Sequence, residues 1–290
     1  MVLTDEARDA LSTASDLVVA DPDLDLLEAV LDVRADAEQD AEQDEEWRLL
    51  LSDDVADTLG YEFVLGTRVE ERRQRGGLLA RRVASPPGTL IATPDAAFAV
   101  AGPPSSRTLL STTETADAVR GAVVDRFETA QPVDLGVPDR RTLLNAAERS
   151  LSTAFAADLD VALRETDRLH RSSDVNVLTL LVALGARHGH LFGVVRTWAE
   201  EVGIAPRQLF SDEKRTLVDA DVIETIKLPL GKGHPRSRLQ LVAEEFGDCP
   251  PGTLTERLEA RLQGEAEAGP AATEERVPVW KRQNRSVGPD

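Results

Sequence analysis

The amino-acid sequence predicts an α+β chain with an N-terminal α/β domain, a long linker helix and a C-terminal winged helix-turn-helix. Three observations carry that expectation. Short apolar runs alternate with amphipathic stretches over about residues 14–131, the pattern of a sheet covered by helices. A helical stripe then runs from Asp139 to Leu169. Finally, Val175 to Val242 orders its signals as helix, helix, turn, helix and β-hairpin. The expected divisions are 1–131, 132–170, 171–263 and a charged, Pro- and Gly-rich tail, 264–290, too polar to order itself.

The N-terminal domain opens with a short helix over Met1–Thr13. Asp16–Asp21 and Trp47–Ser52 are apolar enough for buried strands. Asp23–Val33 reads as a helix with Leu26, Leu27, Val30 and Leu31 on one side. The polar run that follows, Arg34–Glu46, holds DAEQ twice and suits a solvated helix extension or loop. One helix is expected through DDVADTLGYEFVLG. The arginines of Glu71–Gly77 form no recognisable phosphate or metal signature. Gly88–Asp95 and Ala96–Gly102 read as paired strands around a Pro-Asp turn, Ser106–Thr113 as another strand, and Glu114–Ala130 as an amphipathic helix. Pro132–Pro138 breaks the pattern. The stripe after it, from Leu143 to Leu163 within one long helix open to interruption, suits either a core or a dimer seam.

In the C-terminal domain, Val175–Gly189 forms a first helix with Asp174 placed to cap it. Leu191–Gly203 forms a second, with Val194, Val195, Trp198 and Val202 on one face and Gly203 as its stop. Ile204–Ile223 supplies the third, Pro206 suiting its first turn. Leu209, Phe210 and Leu217 are expected to pack inward, leaving Arg207, Gln208, Ser211, Lys214 and Arg215 outward. IETIKLPL and RLQLV alternate as strands joined by a Gly-Lys-Gly-His-Pro turn.

Charge points to a partner. The chain has 290 residues, 33 basic against 52 acidic, for a net charge of −19. Yet Thr225–Ala243 holds no acidic residue and does hold Lys227, Lys232, His234, Arg236 and Arg238. A basic hairpin in so acidic a chain is most simply matched to a phosphate backbone, so double-stranded DNA is the expected partner. On the third helix, Arg207, Gln208 and Ser211 are placed to reach base edges, and Lys214 and Arg215 to hold phosphates. The competing reading is a winged helix kept only for protein interaction or dimerisation. A homodimer is expected, because paired half-sites suit such modules.

Of the 33 basic residues only four are lysine, and acid is spread over nearly every segment. That dispersed acidity resembles the surfaces of proteins from salt-accumulating archaea, so a halophilic archaeal setting is expected. No stretch approaches the apolar length of a membrane span and no leader is evident, so a cytoplasmic protein is expected. The single cysteine, Cys249, excludes an internal disulfide or a cysteine zinc cluster.

Residues from about Leu151 to Val242 resemble the C-terminal half of the haloarchaeal TbsP-type transcriptional regulators. The resemblance rests on Thr179–Ala205, Leu209–Ile223 and, most specifically, Ile226–Leu241. It implies promoter binding through the winged helix. The N-terminal half is similar in its order of elements and is reminiscent of the effector domains of TrmB-type regulators, which leaves room for a small-molecule effector there without naming one. Asp212 and Glu213 depart from the family pattern, since relatives carry polar or basic residues in that helix.

No nucleophile elbow, phosphate loop, H-E-x-x-H or strand-borne G-x-G-x-x-G is present, so no enzyme and no cofactor are expected. His188 and His190 read as a polar helix junction rather than a metal site, and the Gly231–Gly233 turn as a wing tip.

Overall fold

The computed structural model describes residues 3–39, 47–102, 108–166, 169, 173–228, 236–242 and 244–268. Lys232, His234, the Gly231–Gly233 turn, the second DAEQ copy and everything beyond Ala268 lie outside the described residues.

The N-terminal sheet has seven strands in the order β6-β5-β4-β1-β2-β3-β7. Its centre is parallel: β1 (Val18–Ala20), β2 (Trp47–Ser52) and β3 (Leu78–Val83) run the same way. Helix α2 (Leu24–Gln39) connects β1 to β2, and α3 (Asp53–Tyr61) with α4 (Phe63–Arg75) connects β2 to β3. An antiparallel flank, β4 (Leu90–Ala92), β5 (Ala97–Ala101) and β6 (Thr108–Thr112), pairs onto β1, and the short β7 (Gln131–Pro132) closes the other edge. Alternation along each strand sorts the side chains. Val19, Leu49 and Leu51 pack with α1 (Asp5–Thr13) and α2 through α4, while Val18, Ala20 and Leu50 face Val123 and Phe127 of α5 (Ala116–Thr129).

Several sequence expectations are corrected here. The helix expected through DDVADTLGYEFVLG is two, broken at Glu62 (φ −91°, ψ 93°). The break divides loyalties: Leu65 and Val69 stay in the N-terminal core, while Phe63 and Val64 enter the C-terminal one. Strand β3 was hidden by its arginines, which reach off its end. Arg81 donates to the Phe127 carbonyl at 3.0 Å, and Arg82 pairs with Asp53 at 2.8 Å.

The long helix is also two, α6 (Arg140–Ser150) and α7 (Thr153–Glu165). Asp139 caps the first through Thr142 N–H, and Ser152 caps the second through Phe155 N–H, so the polar pair Ser150 and Ser152 flanks a true restart. Leu143, Ala147, Phe155, Leu159 and Leu163 are fully buried within the subunit against the helix-turn-helix core. That stripe is therefore core, and the dimer-seam reading of it is corrected.

The C-terminal fold continues with α8 (Val177–Arg187), α9 (Phe192–Glu201), α10 (Phe210–Asp219) and the antiparallel hairpin β8 (Ile223–Leu228) and β9 (Arg236–Leu241). A short turn of helix, α11 (Glu244–Gly247), leads to α12 (Leu254–Ala268), which buries Leu254 and Leu258 on the same core and runs past the expected start of the tail at Gly264. The cap of α8 is Asn176, not Asp174. Its side chain accepts from Leu178 and Thr179 N–H, and the Thr179 hydroxyl accepts in return from Asn176 N–H, a complete capping box. Cys249 is buried, its Sγ donating to the Phe246 carbonyl.

Candidate nucleic-acid interface

The helix-turn-helix is seated by side chains that leave solvent. Val195, Trp198 and Ala199 of α9 are buried, and Trp198 meets Phe155 edge to face with centroids 5.6 Å apart. Phe210 and Leu217 anchor α10. Val194 is exposed, a correction to the face expected of α9.

Helix α10 starts four residues later than Pro206 suggested. Leu209 N–H bonds the Pro206 carbonyl and Ser211 N–H bonds the Gln208 carbonyl, so residues 206–209 form a turn. Arg207, Gln208 and Leu209 are all exposed on it, and Leu209 does not pack inward as expected. Glu200 binds Arg207, with Nε to Oε2 at 2.5 Å.

The two acidic residues in the first turn of α10 part company. Glu213 is drawn back to the start of α8, where its carboxylate accepts from Thr179 Oγ1 at 2.7 Å and Asn176 Nδ2 at 2.9 Å. A carboxylate at a helix N-terminus also meets the positive end of the helix dipole. Asp212 stays exposed and pairs with Arg215 at 3.1 Å.

Cations gather instead at the start of α9. The Lys214 ammonium lies 4.9 Å from the Phe192 ring centroid, and the Arg196 guanidinium 5.3 Å from the same ring. A groove of about 520 Å³ runs beside it, lined by Phe192, Gly193, Arg196, Thr197, Arg236 and Ser237 among others. Arg196 Nε is buried there and has no hydrogen-bond partner among the described residues. Leu191 gives α9 no side-chain cap, and a side chain at Gly193 would meet nothing within 4 Å, so this helix start is open to approach.

Strand alternation puts Arg236 and Arg238 both on the exposed side of β9, as expected. Their partners differ. Arg236 lines the groove, whereas Arg238 Nε donates to the Gly189 carbonyl at 2.9 Å and secures the hairpin to the α8–α9 turn. The Leu239 N–H bond to the His190 carbonyl adds a second tie. Gly189 sits at φ +62°, a backbone conformation that favours glycine, and a Cβ there would lie 2.6 Å from Arg238 Nη2, so the guanidinium would have to move aside.

The paired histidines are junction residues. His188 Nε2 is 3.0 Å from Asp158 Oδ2, and His190 Nε2 is 3.3 Å from Ser152 Oγ. Burial, then the nearby His188 and Arg238, hold the His190 pKa below the usual histidine value. Among the described residues no His, Cys, Asp and Glu grouping could hold a metal ion.

Of the residues the sequence singled out, Lys214 and Arg236 lie beside Phe192 together with Arg196, which it did not single out. Arg196 belongs to the second helix of the motif, not to the third, where the basic and polar residues cluster in sequence. The usable signal was an arginine between the buried Val195 and Trp198, on the flank of α9.

One solved structure, that of TrmBL2, described as an archaeal chromatin protein with a novel mode of DNA binding, overlaps 43% of this chain at 11% identity and a TM-score of 0.34. The present chain spans 48% of that one, an overlap too partial to transfer any feature. No curated protein matches the sequence. Residues 2–138 match the family described as "Transcriptional regulator TbsP-like, N-terminal", and residues 139–259 match "Transcriptional regulator TbsP-like, C-terminal HTH domain". The two matches abut at the end of the Pro132–Pro138 break and follow each other across the sheet domain and the winged helix, and the chain belongs to the TbsP-like family of transcriptional regulators.

Proposed function

We propose that this regulator docks double-stranded promoter DNA with the groove between α9 and β9 and with the turn ahead of α10. The observation that carries the reading is the convergence of Arg196, Lys214 and Arg236 around Phe192 in a chain of net charge −19, with the Glu213 carboxylate withdrawn from the same helix pair. Arg196 and Arg236 hold backbone phosphate, assisted by the open start of α9. The exposed Arg207 and Gln208, with Ser211 just behind them, reach base edges; Lys214 and Arg215 hold flanking phosphates. Lys232 and His234 add to the basic charge that the sequence places between Thr225 and Ala243. Arg238 acts mainly by holding the wing in place.

The acidic remainder of the surface supports a setting of high salt, in the cytoplasm of a halophilic archaeon. Two copies on paired half-sites supply the area that one module lacks. Such a homodimer must use a face other than the Leu143–Leu163 stripe, which is spent on the subunit's own core. Among the described residues no helix is long and apolar enough to cross a membrane. The reaction to effectors belongs to the N-terminal domain and its contact with α6 and α7.

Chromatin immunoprecipitation with sequencing tests the function. Discrete peaks at promoters are expected. A signal at background across the genome would favour a winged helix used only for protein contacts.

A further inference from the structure

A second cationic site lies where the two family domains meet. Helix α4 of the N-terminal domain packs on α6, and between α4, α6 and α7 opens a cleft of about 490 Å³. Arg75, Arg140, Arg141 and Arg164 line it, against only Glu71 and Asp160. In a chain with 19 more acids than bases, four arginines over two carboxylates is a local reversal of sign.

The carboxylates are already shared. Asp160 takes both Arg140, at 2.8 Å, and Arg164, while Glu71 takes Arg75 at 2.7 Å. Arg141 has no ion pair among the described residues. Crowding is felt most by Arg140: burial, with Arg164 and Arg68 near it and Glu71 opposing, pushes its guanidinium pKa down to about 10. Leu144 is the one apolar side chain among the described lining residues, so the cleft does not suit an apolar ligand. Its volume fits a small molecule. Planar guanidinium forks on three helices can each meet two oxygens of a tetrahedral phosphate.

The geometry points to a binding site in this cleft for a small phosphate-bearing metabolite, held by Arg75 from one domain and by Arg140, Arg141 and Arg164 from the other. A ligand held this way bridges α4 to α6, and α6 packs in turn on α9, the helix that carries Arg196. Occupancy therefore biases how the N-terminal domain sits against the helix-turn-helix. The binding stands by itself; only its coupling to DNA rests on the function proposed above.

Calorimetric titration of the full chain with inorganic pyrophosphate, at fixed potassium chloride, tests the site. One binding event per chain is expected. Arg75→Ala with Arg141→Ala should weaken it at least roughly tenfold, the scale of lost charge-assisted contacts, and Arg75→Lys with Arg141→Lys should weaken it less. Both side chains are exposed, and circular dichroism checks the fold; should the double alanine variant unfold, Arg141→Glu alone must show the loss. Absence of binding by the wild type, or binding unchanged in the folded variants, overturns the proposal. So does a variant that loses DNA affinity when pyrophosphate itself does not bind, which would make the cleft a contact for DNA phosphate. Pyrophosphate binding by a protein that selects no DNA sequence would leave the site standing and sink the promoter reading instead. Where both hold, pyrophosphate should change promoter affinity in the wild type and not in the alanine variant.

Discussion

The Thr179 hydroxyl donates to the Glu213 carboxylate across 2.7 Å, so an acidic residue of α10 buttresses the capping box that Asn176 and Thr179 form at the start of α8. That acid is thereby a structural part, facing the protein. Glu213→Ala removes hydrogen bonds to both Thr179 and Asn176 and should destabilise the fold by about 1.5–3 kcal/mol, the range for bonds to a charged group. Urea unfolding measures it. A loss no larger than that of Asp212→Ala, whose exposed ion pair with Arg215 contributes little, would remove the distinction drawn between the two acids.

Gly189→Ala should cost about 1–3 kcal/mol, because it places a side chain in left-handed backbone and against the Arg238 guanidinium. Adding Arg238→Ala relieves the contact but not the backbone. The double variant should therefore be less unstable than the sum of the two single changes. Simple additivity in thermal unfolding would show that Arg238 does not occupy the space over Gly189.

His190 gives a signed pH effect. Its folded pKa is depressed, first by burial and then by His188 and Arg238, so the fold favours the neutral ring. Its contribution is complete above the ordinary value of 6.5, is lost as pH falls from there through the folded pKa, and is constant below that. The wild type should thus lose melting temperature against His190→Gln between about pH 7 and pH 5. A difference between the two proteins that is the same at both ends of that range would contradict the shift.

Much of the fold was legible because its signals were local. The apolar strands Val18–Ala20 and Trp47–Ser52 and the hairpin from Ile223 to Leu241 each announce themselves by period and neighbouring turn residues. What was hidden depends on tertiary contact. Strand β3 carries Arg81 and Arg82 because their side chains leave the sheet for Phe127 and Asp53. The break at Glu62 exists because Phe63 and Val64 have a second core to enter. The stripe from Leu143 to Leu163 is apolar in either reading, and only the position of α8 and α9 decides that it is core. At the site, Arg236 and Lys214 were visible as bases in an acidic chain, whereas Arg196 gains its place only when Phe192 brings α9, α10 and the wing together.

Salt should act in the opposite sense to most nucleic-acid binding. At about 1 M the screening length is only about 3 Å, so binding there must rest on short hydrogen bonds and fit, while the acidic surface repels DNA in dilute buffer. Specific binding is expected to persist in molar potassium chloride, and structure to be lost at low salt. Circular dichroism and DNA titrations across that range check both. A fully folded protein in dilute buffer, whose binding falls with every increment of salt, would contradict the high-salt setting.

The most direct test of the central claim is selection of DNA sites by the purified full chain, followed by titration of the selected duplex with Arg196→Ala, Arg236→Ala and Gln208→Ala variants in molar potassium chloride. A defined motif should emerge. Arg196→Ala and Arg236→Ala should weaken binding to all sequences alike while leaving the circular dichroism unchanged. Gln208→Ala should relax the motif at one position, by about 1–3 kcal/mol of discrimination. Selection without any enriched motif, or wild-type affinity in both arginine variants, would contradict the account.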